Sequence, residues 1–247
     1  MTAGLLLRGG LYEAPVCDLK SSANPYWQEP TIGNATRRPA LKNNKTARGF
    51  TSFRGIVVYH ESELEHRVST LLQARTDLVE LHSQYPVMSY VDANNVARTH
   101  TFDYFAVLNS GRSVAIAVKE FKKKREMSVL LDQIRESGLL ARCDNNEFKP
   151  NLVDDVILIT DVDANMDAYL NATDILRARD FYNQADHTEL QIMIRDFPGR
   201  FRFGELFRNY SNHARRWTAA WALIEHGNIR PVEPGRISEV TWMTVAR

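Results

Sequence analysis

Cysteine is almost missing from this chain of 247 residues. Cys17 and Cys143 stand far apart and without metal-ligand spacing, which excludes a disulfide framework and a zinc site. Long hydrophobic runs are missing too: no stretch of 18 or more apolar residues occurs, so a membrane-spanning helix of ordinary length is excluded. The opening MTAGLLLRGGLYEAP has neither the basic start nor the sustained apolar core of a secretory signal, and the chain is read as cytoplasmic with no membrane partner. Acid is absent over one stretch, since no Asp or Glu lies between Glu29 and Glu61 while Arg37, Arg38, Lys42, Lys45, Arg48 and Arg54 do. The near-zero net charge therefore conceals a basic leader. Such a segment either lies on phosphates through charge neutralisation or remains a solvated tail, and composition does not separate the two.

A hydrophobic fraction of 44% is ordinary for a globular chain and supplies a sizeable core for one large domain or two small ones. Residues 1–52 lack sustained periodicity and are rich in Asn, Pro and Gly, so an irregular arm is expected. RGIVVYH (54–60) reads as a short strand. Behind Ser62, a good N-cap, Leu64, Val68, Leu71 and Leu72 fall at i, i+4, i+7 and i+8, one apolar helical stripe with Glu65 on its border. QYPVMSYVDANNVARTHTFDYFAVLNSGRSVAIAVKEFKK alternates and breaks at ANN and NSG, predicting a meander of three or four strands. REMSVLLDQIRESGLLARC is a helix through Met127, Leu130, Leu131 and Ile134, and DDVILIT (154–160) has the unbroken apolar character of a strand covered on both faces. This order gives an α/β domain over 53–165. In 166–247, MDAYLNATDILRARDFYNQAD is helical, and the remainder reads as short strand, helix, helix and hairpin. A helix from about Ser211 turns Ala214, Trp217, Ala220, Trp221 and Ile224 inward and stops at Gly227 in a left-handed cap, a winged-helix-like pattern.

One arrangement of residues has the makings of phosphodiester chemistry. Metal-dependent hydrolysis needs carboxylates converging on a divalent cation and a lysine to orient water and offset charge on the phosphate. Asp103 opens one strand. On the next, Ala115, Ala117 and Lys119 share a face, because residues i and i+2 of a strand point the same way. Lys119 is equally readable as the first solvated member of the basic run KEFKKKR, Asp103 as a strand-start residue, and Glu65 as a surface helix acid. The three together, in this order, are more informative than each alone.

GFTSFRGIVVYHESELEH, the Gln84-Tyr85-Pro86 step, HTFDYFAV and AIAVK, followed by FRFGELFRNY, TAAWALIEHGNI and SEVTWMTV, resemble in succession the TnsA-type transposon endonucleases, over about residues 48–247. The resemblance implies a restriction-endonuclease-like PD-(D/E)xK core, a mixed sheet flanked by helices, and a C-terminal winged-helix-like domain. It further implies Mg²⁺- or Mn²⁺-dependent hydrolysis of one strand of double-stranded DNA at transposon ends, beside a DDE-type transposase subunit and an ATPase regulator. Position by position, Glu65 matches the helix glutamate, Asp103 the metal-binding aspartate and Lys119 the catalytic lysine. Asp103 and Glu65 are then the metal ligands.

Ala117 departs from the pattern, since it stands where the family carries an acid or glutamine and has no oxygen to offer. Glu120 through a β-bulge, or Glu126, Asp132 or Gln133 from the following helix, are the available substitutes. Otherwise the site is disabled, and the chain is an inert DNA-binding or assembly module of a transposition or phage DNA-processing complex. Candidate phosphate contacts are Arg37, Arg38, Lys42, Lys45 and Arg48 in the arm, Lys122, Lys123 and Lys124 after the catalytic strand, and Arg215 and Arg216 on the last helix. That helix is also suited to holding a protein partner.

Overall fold

The computed structural model describes residues 4–7, 10–13, 30–31, 33–36, 47–143, 145–208 and 210–246. In chain order the elements are β1 (Gly4–Leu7), β2 (Gly10–Glu13), β3 (Gly49–Phe53), β4 (Ile56–His60), α1 (Glu63–Ala74), β5 (Leu78–Ser83), β6 (Val87–Val91), β7 (Ala97–Thr101), β8 (Tyr104–Leu108), β9 (Ser113–Val118), α2 (Lys124–Glu136), β10 (Ala141–Arg142), β11 (Phe148–Lys149), β12 (Asp155–Ile159), α3 (Met166–Asp180), α4 (Gln184–Met193), β13 (Phe201–Arg202), α5 (His213–Glu225), β14 (Ile229–Pro231) and β15 (Trp242–Val245). Among the described residues no helix is long and apolar enough to cross a membrane.

The central sheet is mixed, in the order β12-β9-β8-β5, with β12 parallel to β9 and the other pairs antiparallel. Helices cover both of its faces. Strand alternation sends Val114, Ile116 and Val118 to one side, where they pack with Val68 and Leu72 of α1 and with Leu81 and Tyr104. It sends Ala115 and Ala117 to the other, against Met127, Leu131 and Ile134 of α2 with Phe105 and Val156. Small residues on that face let α2 approach the sheet closely. The N-cap is as read: Ser62 Oγ accepts the Glu65 N–H at 3.2 Å.

The structure corrects several expectations. The four strands from residue 87 to 118 are not one meander. β6 and β7 join β10 and β11 in a separate sheet, and β8 and β9 lie in the central one. The chain changes sheet at Phe102-Asp103, where Phe102 N–H bonds Pro86 O and Asp103 N–H bonds Ile116 O. β5 has no counterpart in the sequence reading, whereas β12, although at the sheet's edge, has both faces covered, Ile157 and Ile159 on one side and Val156 and Leu158 on the other. The arm is less irregular than its composition suggested, since β1 and β2 pair and β3 pairs with β4.

In the C-terminal part, TELQIM continues helix α4 where a short strand was expected. α5 ends as foreseen: Gly227 has φ +71, and Asn228 N–H reaches back to Leu223 O at 2.8 Å, a Schellman closure that a residue bearing Cβ would strain. On α5, however, Ala214 is exposed and Arg216 is buried. The strands that follow form a three-stranded antiparallel sheet, β13-β15-β14, over a core built on Trp221, Phe201, Phe203 and Phe207.

Candidate active site

Asp103 sits in the two-residue joint, Phe102-Asp103, where the chain leaves the outer sheet for the central one. Its main chain is fixed on both sides, the N–H by Ile116 O at 3.1 Å and the carbonyl by Gln84 N–H at 2.8 Å. Its Oδ2 accepts the Val118 N–H at 2.7 Å and lies 3.4 Å from Lys119 Nζ. Lys119 follows directly on β9, and its own N–H is held by Ile159 O of β12 at 3.3 Å. The carboxylate is 12% exposed and the lysine 31%, so the pair sits at the mouth of the sheet's end.

Glu65 enters from α1. Its Oε2 accepts Glu61 N–H at 2.7 Å and its Oε1 accepts the Ser62 hydroxyl at 2.9 Å, two bonds that lock the carboxylate at the helix start. The same residue's carbonyl lies 3.0 Å from the hydroxyl of Tyr104, which is fully buried and also lies 3.2 Å from Tyr59 O. Burial raises the Glu65 pKa above its ordinary 4.5, and the Asp103 charge adds to the rise. Burial, Glu65 and Asp103 together push the Tyr104 phenol well above its ordinary value and keep it neutral. Asp103 and Lys119 are thus in contact, with the Glu65 carboxylate within coulombic range of Asp103.

Ala117 is fully buried beneath α2. The pairing of Tyr104 with Ile116 sets Asp103 level with it. None of the foreseen substitutes fills its role. Glu120 is exposed and ion-paired to Lys122, Asp132 is paired to Arg135, Glu126 is exposed, and Gln133 lines a hollow with Ser89 and Tyr90 on the outer sheet.

The cations are distributed unevenly. Lys122, Lys123 and Lys124 are exposed, with Lys124 Nζ 5.4 Å from the Phe121 ring. Arg48 is half-buried beside β3. Arg215 makes a two-point pair with Asp186, both contacts at 2.7 Å. Arg216 is buried, bonds Glu189 and stacks on Tyr210 at 3.9 Å. Both therefore tie α5 to α4. Arg37, Arg38, Lys42 and Lys45 lie outside the described residues.

Sequence reasoning missed two features near the site. His100 on β7 has a buried Nε2 with no hydrogen-bond partner. Burial lowers its pKa, with Asp103 raising and Lys119 lowering it further. The run TDVDA after β12 puts Asp161 on Phe121 N–H at 2.5 Å and Asp163 on Thr160 N–H at 2.9 Å, carboxylates at the same sheet end as Lys119. Acids directly after a parallel strand were the available signal.

Among the described residues no group of three or more His, Cys, Asp and Glu side chains is arranged to hold a metal. Mg²⁺ does not require one, because it commonly takes one or two carboxylates and fills the rest of its shell with water and substrate phosphate oxygens. The mutual charge of Glu65 and Asp103 at a buried position is what a cation relieves, so the donor set fits. No family model matches the chain, and no curated protein is similar to it.

The Glu65 shift has a testable sign. A carboxyl whose folded pKa is raised holds its proton longer when folded, so its stabilising contribution is complete below the unfolded value and is lost as pH rises through the folded one. His60 works oppositely. Burial and His66 push it down to about 4, and stability falls as pH drops from 6.5 toward that value. Urea unfolding in EDTA between these limits is expected to give a falling difference, wild type minus Glu65→Gln, as pH rises. A flat difference would show that Glu65 titrates normally.

Proposed function

We propose that the chain is a TnsA-like DNA endonuclease subunit, with a PD-(D/E)xK-type core and a winged-helix-like C-terminal part, acting on one strand of a duplex at transposon ends. The observation that carries this reading is the Asp103–Lys119 contact, at 3.4 Å, at the end of a mixed sheet with Glu65 within electrostatic reach. Asp103 with Glu65 would hold Mg²⁺ or Mn²⁺. Once bound, the ion supplies Lewis-acid polarisation of the phosphate and a water of lowered pKa. Asp103 keeps Lys119 aimed. Lys119 donates to the phosphate oxygen on which charge develops, or orients the attacking water. Glu65, held by Glu61 N–H and the Ser62 hydroxyl, would order that water or the ion. Lys122, Lys123 and Lys124, exposed beside the site, take flanking phosphates. The DDE-type transposase and ATPase partners follow from the resemblance.

A second reading is favoured by Ala117, which leaves the site one oxygen short: an inert DNA-binding or assembly module on the same fold. Nicking of supercoiled plasmid in Mg²⁺ or Mn²⁺ separates the two. The nuclease reading expects weak, metal-dependent nicking that falls to background in Lys119→Ala, a loss on the order of 10²-fold. No nicking by the chain as it stands, with or without partner proteins, leaves the inert reading.

A further inference from the structure

The C-terminal sheet carries a second surface that the nuclease reading does not use. Strand alternation puts Phe201, Met243 and Ile229 into the core and turns Arg202, Trp242, Thr244 and Arg230 outward. The registers Arg202↔Trp242 and Arg230↔Thr244 set these four side by side on one face. Arg202 stacks on the Trp242 ring with its guanidinium carbon 3.9 Å from the ring centre, and its Nη1 donates to Val240 O. Trp242 is nevertheless 45% exposed and the adjoining Val240 71%. Arg195 and Arg230 share a hollow with Thr244 at the sheet's other edge.

The charge pattern is selective. The arginines that brace this part of the chain, Arg177, Arg179, Arg215, Arg216 and Arg236, each have a carboxylate partner. Arg195, Arg200, Arg202 and Arg230 have none among the described residues. No acid occurs in β13, β14 or β15; of the two acids that line a hollow with Arg202, Glu205 is occupied as the cap of Arg202 N–H and Glu239 makes no ion pair with it among the described residues. A solvent-facing indole between uncompensated guanidiniums is poorly explained by folding stability. It suits an anionic ligand with flat faces.

We infer that this sheet face is a platform for an unpaired nucleic-acid strand, with a base stacked on the Trp242–Arg202 pair and phosphates on Arg230, Arg195 and Arg200. Sequence-tolerant stacking on aromatics within a cationic groove is the usual mode for single strands. Groove reading by α5 is disfavoured, because Arg215 and Arg216 are tied to α4. The inference stands on this face alone.

The test is binding of a fluorescein-labelled oligo-dT of about 15 nucleotides, a length covering the usual single-strand site, to the full chain in EDTA, where the nuclease reading makes no demand. Trp242→Ala is expected to weaken binding about ten-fold or more, and Trp242→Phe to recover most of it. Arg230→Ala should lower the log–log salt slope by about 0.7. An oligonucleotide carrying 5-iodouracil should photocrosslink to the tryptic peptide 237–247, which contains Trp242. Affinity unchanged in Trp242→Ala and Arg230→Ala, crosslinks only elsewhere, or equal Trp242-dependent binding of a matched duplex would each overturn it. Should Trp242→Ala fail to fold, Trp242→Phe, Arg230→Ala and the crosslink decide.

Discussion

Ala117→Glu is expected to raise Mg²⁺-dependent nicking by at least 10–100-fold, because loss of even an outer-shell partner of a metal ligand typically costs about that much. In the absence of divalent ions the same substitution is expected to lower stability by about 1–3 kcal/mol. Both follow from one position. Ala117 is fully buried against α2, so a longer side chain must displace neighbours or turn toward the sheet's open end. There its carboxylate meets Asp103, level with it across the β8–β9 ladder, and Glu65, already short of a counter-charge. Three carboxylates beside Lys119 repel one another until a divalent ion joins them. Thermal melts should therefore show the variant less stable than wild type in EDTA and recovering with Mg²⁺. At 100 times its Kd a ligand adds about 2.7 kcal/mol. Ala117→Gln carries an oxygen without the charge, so a smaller apo penalty with similar recovery is expected. If neither variant nicks DNA nor gains stability from Mg²⁺, the three residues do not form a metal site, and the inert reading replaces the nuclease.

Much of what places that site was legible in the sequence. Leu64, Val68, Leu71 and Leu72 marked α1 by spacing alone, Ser62 marked its start, and the alternation after Asn109 separated the two faces of β9, which the core clusters reproduce. What escaped the reading depends on partners distant in sequence. TELQIMI alternates like a strand through Leu190, Ile192 and Ile194, yet it forms a helical turn. Leu190 and Ile194 are buried four residues apart, and Ile192 is left 56% exposed. The split of β6–β7 from β8–β9 follows from the short strands β10 and β11, which arrive after α2 and cannot be seen from the meander itself. Arg216 reads as a surface cation on a helix. Its burial becomes tolerable only because Glu189 and Tyr210 reach it. The same holds for Glu65, whose place on the border of the α1 stripe was visible and whose electrostatic meeting with Asp103 was not.

Arg179→Ala is expected to cost about 3–5 kcal/mol, seen as a lower urea midpoint and a melting temperature reduced by about 10 °C. Arg179 closes the C-terminus of α1 from a helix more than a hundred positions away, donating to Gln73 O at 2.5 Å, Ala74 O at 2.6 Å and Arg75 O at 3.2 Å. The last carbonyls of α1 have no intrahelical donors, and α1 has no basic residue in its last turn, so this guanidinium supplies both the hydrogen bonds and the charge that its dipole favours. Its Nε also pairs with Glu225 at the end of α5, whose side chain is only 10% exposed. Truncation leaves that carboxylate without its cation and three carbonyls without donors, which outweighs the modest worth of an exposed ion pair. Arg179→Lys keeps the charge but loses the planar fork, and should recover less than half. A double-mutant cycle with Glu225→Gln measures the coupling. A coupling near zero would mean that the carbonyl contacts carry the effect. Strong coupling would mean that the Arg179–Glu225 pair carries much of the effect, so that α3 braces the C-terminus of α1 and the end of α5 together.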